Sequence, residues 1–287
     1  MTGVKIVVLW NHLPGPQAAF PVNGIQPTLY AGGFEMKISL INGSPKGMES
    51  NTNMMATAFL TGAQEAGAET VNIILADNEI KHCKGCFSCW FGTPGCCVMD
   101  DDMAGILSMA EGADILVLAT PLRYGNISGL LKVFIERMVV FSNPYIVKDR
   151  AGETRHPKKS AESESPLYRS KLVLLAPGGL SQRAHFQVVS LWIKRLALNN
   201  LTEVLGEIYA PQGALLTNSA EELRPVIDNY LQLLKQAGQE IVLDSRISDG
   251  TGNLLEQNLI PEEIYLQQIN GHFDFLLKNV KHPYVTD

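Results

Sequence analysis

Short apolar runs recur along this chain, separated by stretches in which apolar residues return every three or four positions. The first run, Met36-Lys37-Ile38-Ser39-Leu40-Ile41, leads into a stretch that places Met55, Phe59, Gly62 and Ala66 on one helical face. Further runs lie over 69–75, 114–119, 171–176 and 204–209, and helical patterns over 101–111, 129–140, 183–199 and 221–243. The run over 114–119 shows no alternation, as expected of a strand covered by helices on both faces. Five strand-helix units in succession predict an open parallel α/β sheet with helices on both sides. Pro225 is expected in the first turns of its helix, and Pro261 opens another.

This pattern divides the chain. Residues 1–35, rich in Gly and Pro after one apolar run, read as an arm or extension. Residues 36–245 form the predicted core domain, and 246–287 a C-terminal helical extension. A polar connection over 143–170 is longer than ordinary loops and reads as a solvated excursion, a lid or a dimer arm.

Composition narrows the class. The 287 residues are 46% hydrophobic and 18% charged, which suits a globular chain. The net charge of −6 and the absence of a Lys/Arg run speak against nucleic acid or an anionic membrane surface as partner. No apolar stretch reaches the roughly 18 residues of a spanning helix. Val4–Trp10 is short and weakly flanked for a secretory signal, so the cytoplasm is the expected location.

Candidate chemistry begins where the first strand ends. The loop Asn42-Gly43-Ser44-Pro45-Lys46-Gly47-Met48-Glu49-Ser50-Asn51-Thr52 precedes a helix N-terminus, whose unpaired N–H groups and positive dipole attract an anion. Gly47 is followed by Met48 rather than Lys-Ser/Thr, which disfavours a nucleotidase P-loop. Ser44 and Asn51 break the Gly-x-Gly-x-x-Gly dinucleotide pattern. What the loop offers is the Ser44, Ser50 and Thr52 hydroxyls, the Asn51 amide and the Lys46 cation. That set suits one terminal phosphomonoester, such as that of FMN. The same residues also read as an ordinary capped helix, with Ser50 or Asn51 as the cap.

All five cysteines fall within fifteen residues, as Cys83-x2-Cys86-x2-Cys89-x6-Cys96-Cys97. In a cytosolic chain such crowding favours metal or redox chemistry over disulfides. Four thiolates at two-residue gaps suit an iron–sulfur cube; zinc and an unmetallated turn are the other readings.

These residues together resemble the NAD(P)H-dependent FMN reductases of flavodoxin-like fold. The resemblance rests on Gly43-Ser44-Pro45-Lys46, on Cys83-Lys84-Gly85-Cys86-x2-Cys89-Trp90, on Cys97-Val98-Met99-Asp100-Asp101-Asp102-Met103 and on Thr120-Pro121-Leu122-Arg123-Tyr124-Gly125-Asn126-Ile127-Ser128-Gly129. The cysteine run is similar to that of the iron–sulfur flavoproteins within that superfamily. There the fourth ligand precedes a Val/Ile-x-Asp-Asp-Met stretch, which matches Cys97 rather than Cys96.

The resemblance covers about residues 36–245 and implies a three-layer α-β-α fold around a five-stranded parallel sheet. It implies FMN at the strand ends, NAD(P)H as co-substrate, and a 4Fe–4S cluster on Cys83, Cys86, Cys89 and Cys97. Ser44, Lys46, Ser50, Asn51 and Thr52 would hold the phosphate. Pro121, Leu122, Arg123, Tyr124, Gly125, Asn126 and Ile127 would line the ring, with Tyr124 either half-buried at a strand end or against the ring. Pro177, Gly178 and Gly179 would supply a third loop. Electrons would pass from the nicotinamide to a flavin, quinone or nitro acceptor or to a redox protein, in a homodimer or homotetramer. No side chain is assigned as general acid or base. The scattered histidines show no hydrolase spacing, and Asp100-Asp101-Asp102 reads as helix-terminal charge.

Overall fold

The computed structural model describes residues 36–149, 152–157 and 170–279; the expected arm over 1–35 lies outside them. Five strands, β1 (Lys37–Asn42), β2 (Glu69–Ile74), β3 (Ile115–Ala119), β4 (Lys171–Pro177) and β5 (Val204–Ala210), form one sheet in the order β2-β1-β3-β4-β5. Every neighbouring pair is parallel. The helices are α1 (Asn51–Glu65), α2 (Met103–Ala110), α3 (Gly129–Arg137), α4 (Gln187–Asn199), α5 (Arg224–Asp244), α6 (Asp249–Leu255) and α7 (Glu262–Asn279). This is the flavodoxin-like three-layer arrangement.

Successive side chains of a strand point to opposite faces, and here both faces are buried. Ile38, Leu40, Ile115, Val117, Val173 and Leu175 pack against α1 and α5. Ile41, Leu116, Leu118, Leu172 and Leu174 pack against α2, α3 and α4. Two hydrophobic layers served by alternate residues of the same strands explain why the sequence shows unbroken apolar runs.

On the first face, α1 and α5 meet backbone to backbone. A Cβ on Gly62 would stand 1.8 Å from the Lys235 carbonyl oxygen, and one on Gly238 would stand 2.0 Å from that of Phe59. Gly62, expected on the buried face of its helix, lies there because only a missing side chain allows this approach.

Helix ends differ from expectation where tight turns take over the terminal residues. The helix expected to reach residue 140 stops at Arg137, and Met138–Phe141 continue as a 3-10 turn. Similar turns at Arg183–Phe186 and Glu221–Leu223 precede α4 and α5, and Pro225 sits in the first turn of α5 as expected. Inside the polar connection, Val147–Lys148 pairs antiparallel with Thr154–Arg155, a short pairing without an alternating signal. In the C-terminal extension, Leu255 and Tyr265 are buried, and Tyr265 joins Leu215, Leu223 and Ile227 in a third apolar cluster. No helix among the described residues is long and apolar enough to cross a membrane.

Adding one methyl group at Gly238 tests the α1–α5 contact. Gly238→Ala is expected to lower stability by about 1–3 kcal/mol through overpacking, measured by urea unfolding. An unchanged midpoint would mean that the two helices have room between them.

Candidate functional site

The chain leaves β1 toward β2 on one side and returns to β3 on the other, so β1 and β3 flank the place where strand order reverses. In open α/β sheets ligands bind in that crevice, at the carboxyl ends of the strands. The sheet's hydrogen-bond ladder runs on past these ends into the loops. Gly43 N–H donates to the Ala119 carbonyl at 2.8 Å, Thr120 N–H to Leu175 at 2.9 Å, Leu122 N–H to Pro177 at 2.9 Å and Gly178 N–H to Ala210 at 3.0 Å.

In the first loop, Ser44 and Thr52 are buried and Lys46 is exposed. The Ser44 Oγ accepts a long 3.4 Å contact from Lys46 N–H. Ser50 is the N-cap of α1: its Oγ accepts from Asn53 N–H at 3.0 Å and donates to the Gly47 carbonyl at 2.7 Å. Its hydroxyl proton is therefore committed to shaping the loop. Asn51 Oδ1 accepts from Thr217 N–H at 3.1 Å and reaches across to the segment after β5. The Asn51 and Thr52 N–H groups open the helix without intrahelical partners. Beneath the loop, Asn53 Oδ1 accepts from both Asn42 and Asn72, at 3.2 and 3.0 Å.

The second loop is stapled to the first. Ser128 caps α3, accepting from Leu131 N–H at 3.1 Å, and donates to the Gly43 carbonyl at 2.6 Å. A Cβ on Gly43 would lie 2.6 Å from that of Leu131. Arg123 and Asn126 exchange backbone hydrogen bonds at 2.8 and 2.9 Å around a two-residue tip, Tyr124-Gly125. Both tip residues have positive φ, +47° and +70°, the signature of a type I′ turn. Tyr124 corrects its half-buried expectation: it is fully exposed, since the turn lifts it off the sheet edge. Leu122 and Pro121 are half-buried and Ile127 is buried.

In the third loop, a Cβ on Gly178 would sit 2.7 Å from the Phe186 ring, whereas Gly179 faces open space. Two residues that sequence reasoning missed hold this loop. Tyr265 donates its hydroxyl to the Gly179 carbonyl at 2.5 Å. Buried Gln212 bonds Ser181 and both backbone groups of Ile260. Neither residue belongs to a short motif, so the sequence carried no signal for them.

The cysteine run forms a separate pocket. Cys83, Cys86, Cys89 and Cys97 all line one cavity of about 300 Å³, together with Phe87, Val98, Val139 and Arg137. Cys96 is exposed and lies outside the lining. Phe87, at φ +53°, turns the chain into a single helical turn, Ser88–Phe91, which Trp90 pins by donating to the Val139 carbonyl at 3.0 Å. Hydrogen bonds from Ser88 lower the Cys86 pKa, with Lys84 helping. Burial raises that of Cys89, and the charges of Cys97, Cys86 and Cys83 add to it. Among the described residues no three metal-ligating side chains stand close enough to hold a single ion. Four thiols around one cavity form a donor set that fits an iron–sulfur cluster.

Of the charged residues that line that pocket, Lys84, Glu136 and Arg137, one is fully buried. The Arg137 side chain is 1% exposed and pairs with Asp101, which is equally buried. Its NH2 group donates to Asp101 Oδ1 at 3.0 Å, and NH1 donates to the other oxygen of Asp101 and to the Lys81 carbonyl at 2.9 Å. Asp101 also caps the start of α2, accepting from Met103 N–H at 3.2 Å. The aspartate run thus serves its helix as expected, and one member carries a buried ion pair besides.

The family model described as NADPH-dependent FMN reductase matches residues 36–212, more than half of the chain. This chain belongs to that family.

Among curated relatives, an iron-sulfur flavoprotein of Archaeoglobus fulgidus is 37% identical over 102 residues, covering 36% of this chain and 48% of that protein. One from Methanosarcina thermophila is 33% identical over 118 residues, covering 41% and 60%. The matched segment thus spans about half the length of these curated relatives. Solved structures share the fold: an FMN-dependent NADH-azoreductase of Bacillus anthracis in complex with FMN superposes with TM-score 0.51 at 17% identity, over 72% of this chain and all of that one. An NAD(P)H:quinone oxidoreductase of Methanothermobacter marburgensis gives 0.51 at 15%, over 72% and 100%.

The Asp101 carboxyl is held below its ordinary pKa, first by the hydrogen bond from Arg137 and despite burial. A lowered folded-state value means that this stabilisation is complete above the unfolded value of about 3.9 and is lost as pH falls through the lower folded one. Urea unfolding of the wild type is therefore expected to weaken below about pH 4. Asp101→Asn, weaker at pH 7 by up to about 3–5 kcal/mol because it leaves a buried cation unpaired, should lack that part of the acid loss. Parallel acid curves for the two proteins would remove Asp101 from the account.

Proposed function

We propose that this chain is an FMN-dependent NAD(P)H oxidoreductase that passes electrons from a nicotinamide to a small acceptor such as a flavin, a quinone or a nitro compound. The observation that carries the reading is the convergence of three loops on the sheet's switch point, tied to one another by Ser128–Gly43 and Leu122–Pro177 hydrogen bonds. Membership of the reductase family supports it.

The residues fit the cofactor. The N–H groups of Asn51 and Thr52 and the Ser44 and Thr52 hydroxyls would receive the phosphate, with exposed Lys46 as counter-charge. Ser50 contributes by capping α1, and Asn51 by fixing the loop through Thr217. Pro121, Leu122 and Ile127 would support one side of the ring, and the Arg123–Asn126 turn would border it. Open space at Gly125 and Gly179 leaves backbone free to approach the ring edge. When bound, FMN supplies the hydride and electron chemistry. The chain's own work is to bind, orient and shield it, and no side chain is required as acid or base.

The four-cysteine pocket favours a second element of the same reading: a 4Fe–4S cluster on Cys83, Cys86, Cys89 and Cys97. With it, an electron carrier serving a redox protein is the alternative to small-molecule turnover, and the names of the curated relatives favour that version. A cytoplasmic homodimer or homotetramer is the assembly that accords with the family resemblance.

Two measurements test the proposal. Ser44→Asp places a fixed anion in the phosphate loop and is expected to weaken FMN binding at least about 100-fold, or about 2.7 kcal/mol, in a fluorescence titration. Retained affinity would mean that the phosphate binds elsewhere. Cys89→Ser, purified anaerobically, should lose most of its iron while keeping its flavin. Equal iron in variant and wild type would remove Cys89 from the ligand set.

A further inference from the structure

Lys84, Glu136 and Arg137 line the pocket that gathers the four cysteines, and of these charges only Arg137 is held by a fully buried ion pair, so its position is built rather than incidental. Arg137 lines the cavity, whereas its partner Asp101 does not. The arginine of the ion pair thus shares the cavity with the cysteines, while the aspartate stands outside the lining at the start of α2. Both carboxylate oxygens and the Lys81 carbonyl hold the terminal nitrogens of the guanidinium, which leaves Nε buried with no hydrogen-bond partner among the described residues. A buried N–H without an acceptor costs about 1–3 kcal/mol, and such a group calls for an explanation. The pKa of Arg137 is raised, first by its hydrogen bond to Asp101 and also by Cys97, which places that thiol within electrostatic reach.

We infer that Arg137 is a positioning residue for the sulfur ligands: held by Asp101, it presents charge and a spare N–H to the Cys97 side of the pocket and raises the reduction potential of what the cysteines hold. The inference rests on the cluster reading above. Hydrogen bonds to sulfur, net charge and solvent exposure set iron–sulfur potentials. Adding an electron to a thiolate-bound cluster increases its negative charge, so a nearby fixed cation favours the reduced form. Asp101 opposes this from a greater distance. Removing either partner should therefore move the potential in opposite directions.

The test uses the full chain, purified anaerobically, with iron and flavin quantified and the cluster potential followed by its EPR signal during a reductive titration. Arg137→Gln is expected to lower the potential by about 59 mV, a tenfold change in a one-electron equilibrium. Asp101→Asn, which keeps an oxygen acceptor for Met103 N–H, should raise it. Arg137→Lys should stay near the wild type. A purely structural ion pair would shift the Gln and Asn variants the same way or not at all, and either result with iron retained overturns the inference. If Arg137→Gln loses its cluster, the Asp101→Asn and Arg137→Lys proteins decide: a rise in the first with little change in the second supports the charge role, and any other pair of results overturns it. Wild-type protein that purifies without iron would remove the cluster reading itself and this inference with it.

Discussion

Parallel strands end with backbone groups still aimed at their neighbours, and in this chain the pairing continues into the connecting loops. Gly43 remains bonded to Ala119, Leu122 to Pro177 and Gly178 to Ala210 after the strands have ended. Loops at the edge of a sheet are ordinarily its most mobile parts. Here they inherit the rigidity of the sheet, because their first residues belong to its ladder. The Ser128–Gly43 bond then locks two of them together across the switch point. Binding a flat ring and a phosphate at fixed separation demands this kind of preorganisation.

A second constraint governs the cysteine pocket. Its floor is not made by the cysteine loop alone but by the end of α3 and the turn that follows, through Arg137, Val139 and Val140. Trp90 ties the loop to that turn, and Arg137 ties the turn to the start of α2. The pocket thus sits between three segments distant in sequence. Helix α3 also begins at the Ser128 cap, so one short helix has the loop after β3 at its start and the thiol pocket at its end. The two candidate redox sites share a single rigid element.

Much of this was legible in the sequence, because the signals were local. Unbroken apolar runs such as Asp114-Ile115-Leu116-Val117-Leu118-Ala119 marked the doubly covered strands, and the crowding of five cysteines marked the loop that lines the second pocket. Gly62 fell on the buried face by periodicity alone. The missing parts depend on long-range partners. Tyr265 is an ordinary helical tyrosine until α7 docks, and Gln212 gains its role from Ser181 and Ile260. Arg137 reads as a surface charge at the end of an amphipathic helix, since nothing nearby announces Asp101. The exposure of Tyr124 was hidden because a type I′ tip is normally marked by Asn-Gly or Gly-Gly, and Tyr-Gly conceals it.

The hydroxyl of Tyr265 resting on the Gly179 carbonyl gives the C-terminal segment a stake in the ligand shelf. Gln212, clasping Ile260 from the other side, doubles that stake. A helix outside the family-matched region therefore braces a loop within it. Any tag, fusion or trimming that tugs on the segment after Pro261 would be felt at the loop after β4, and inserts are better grafted elsewhere.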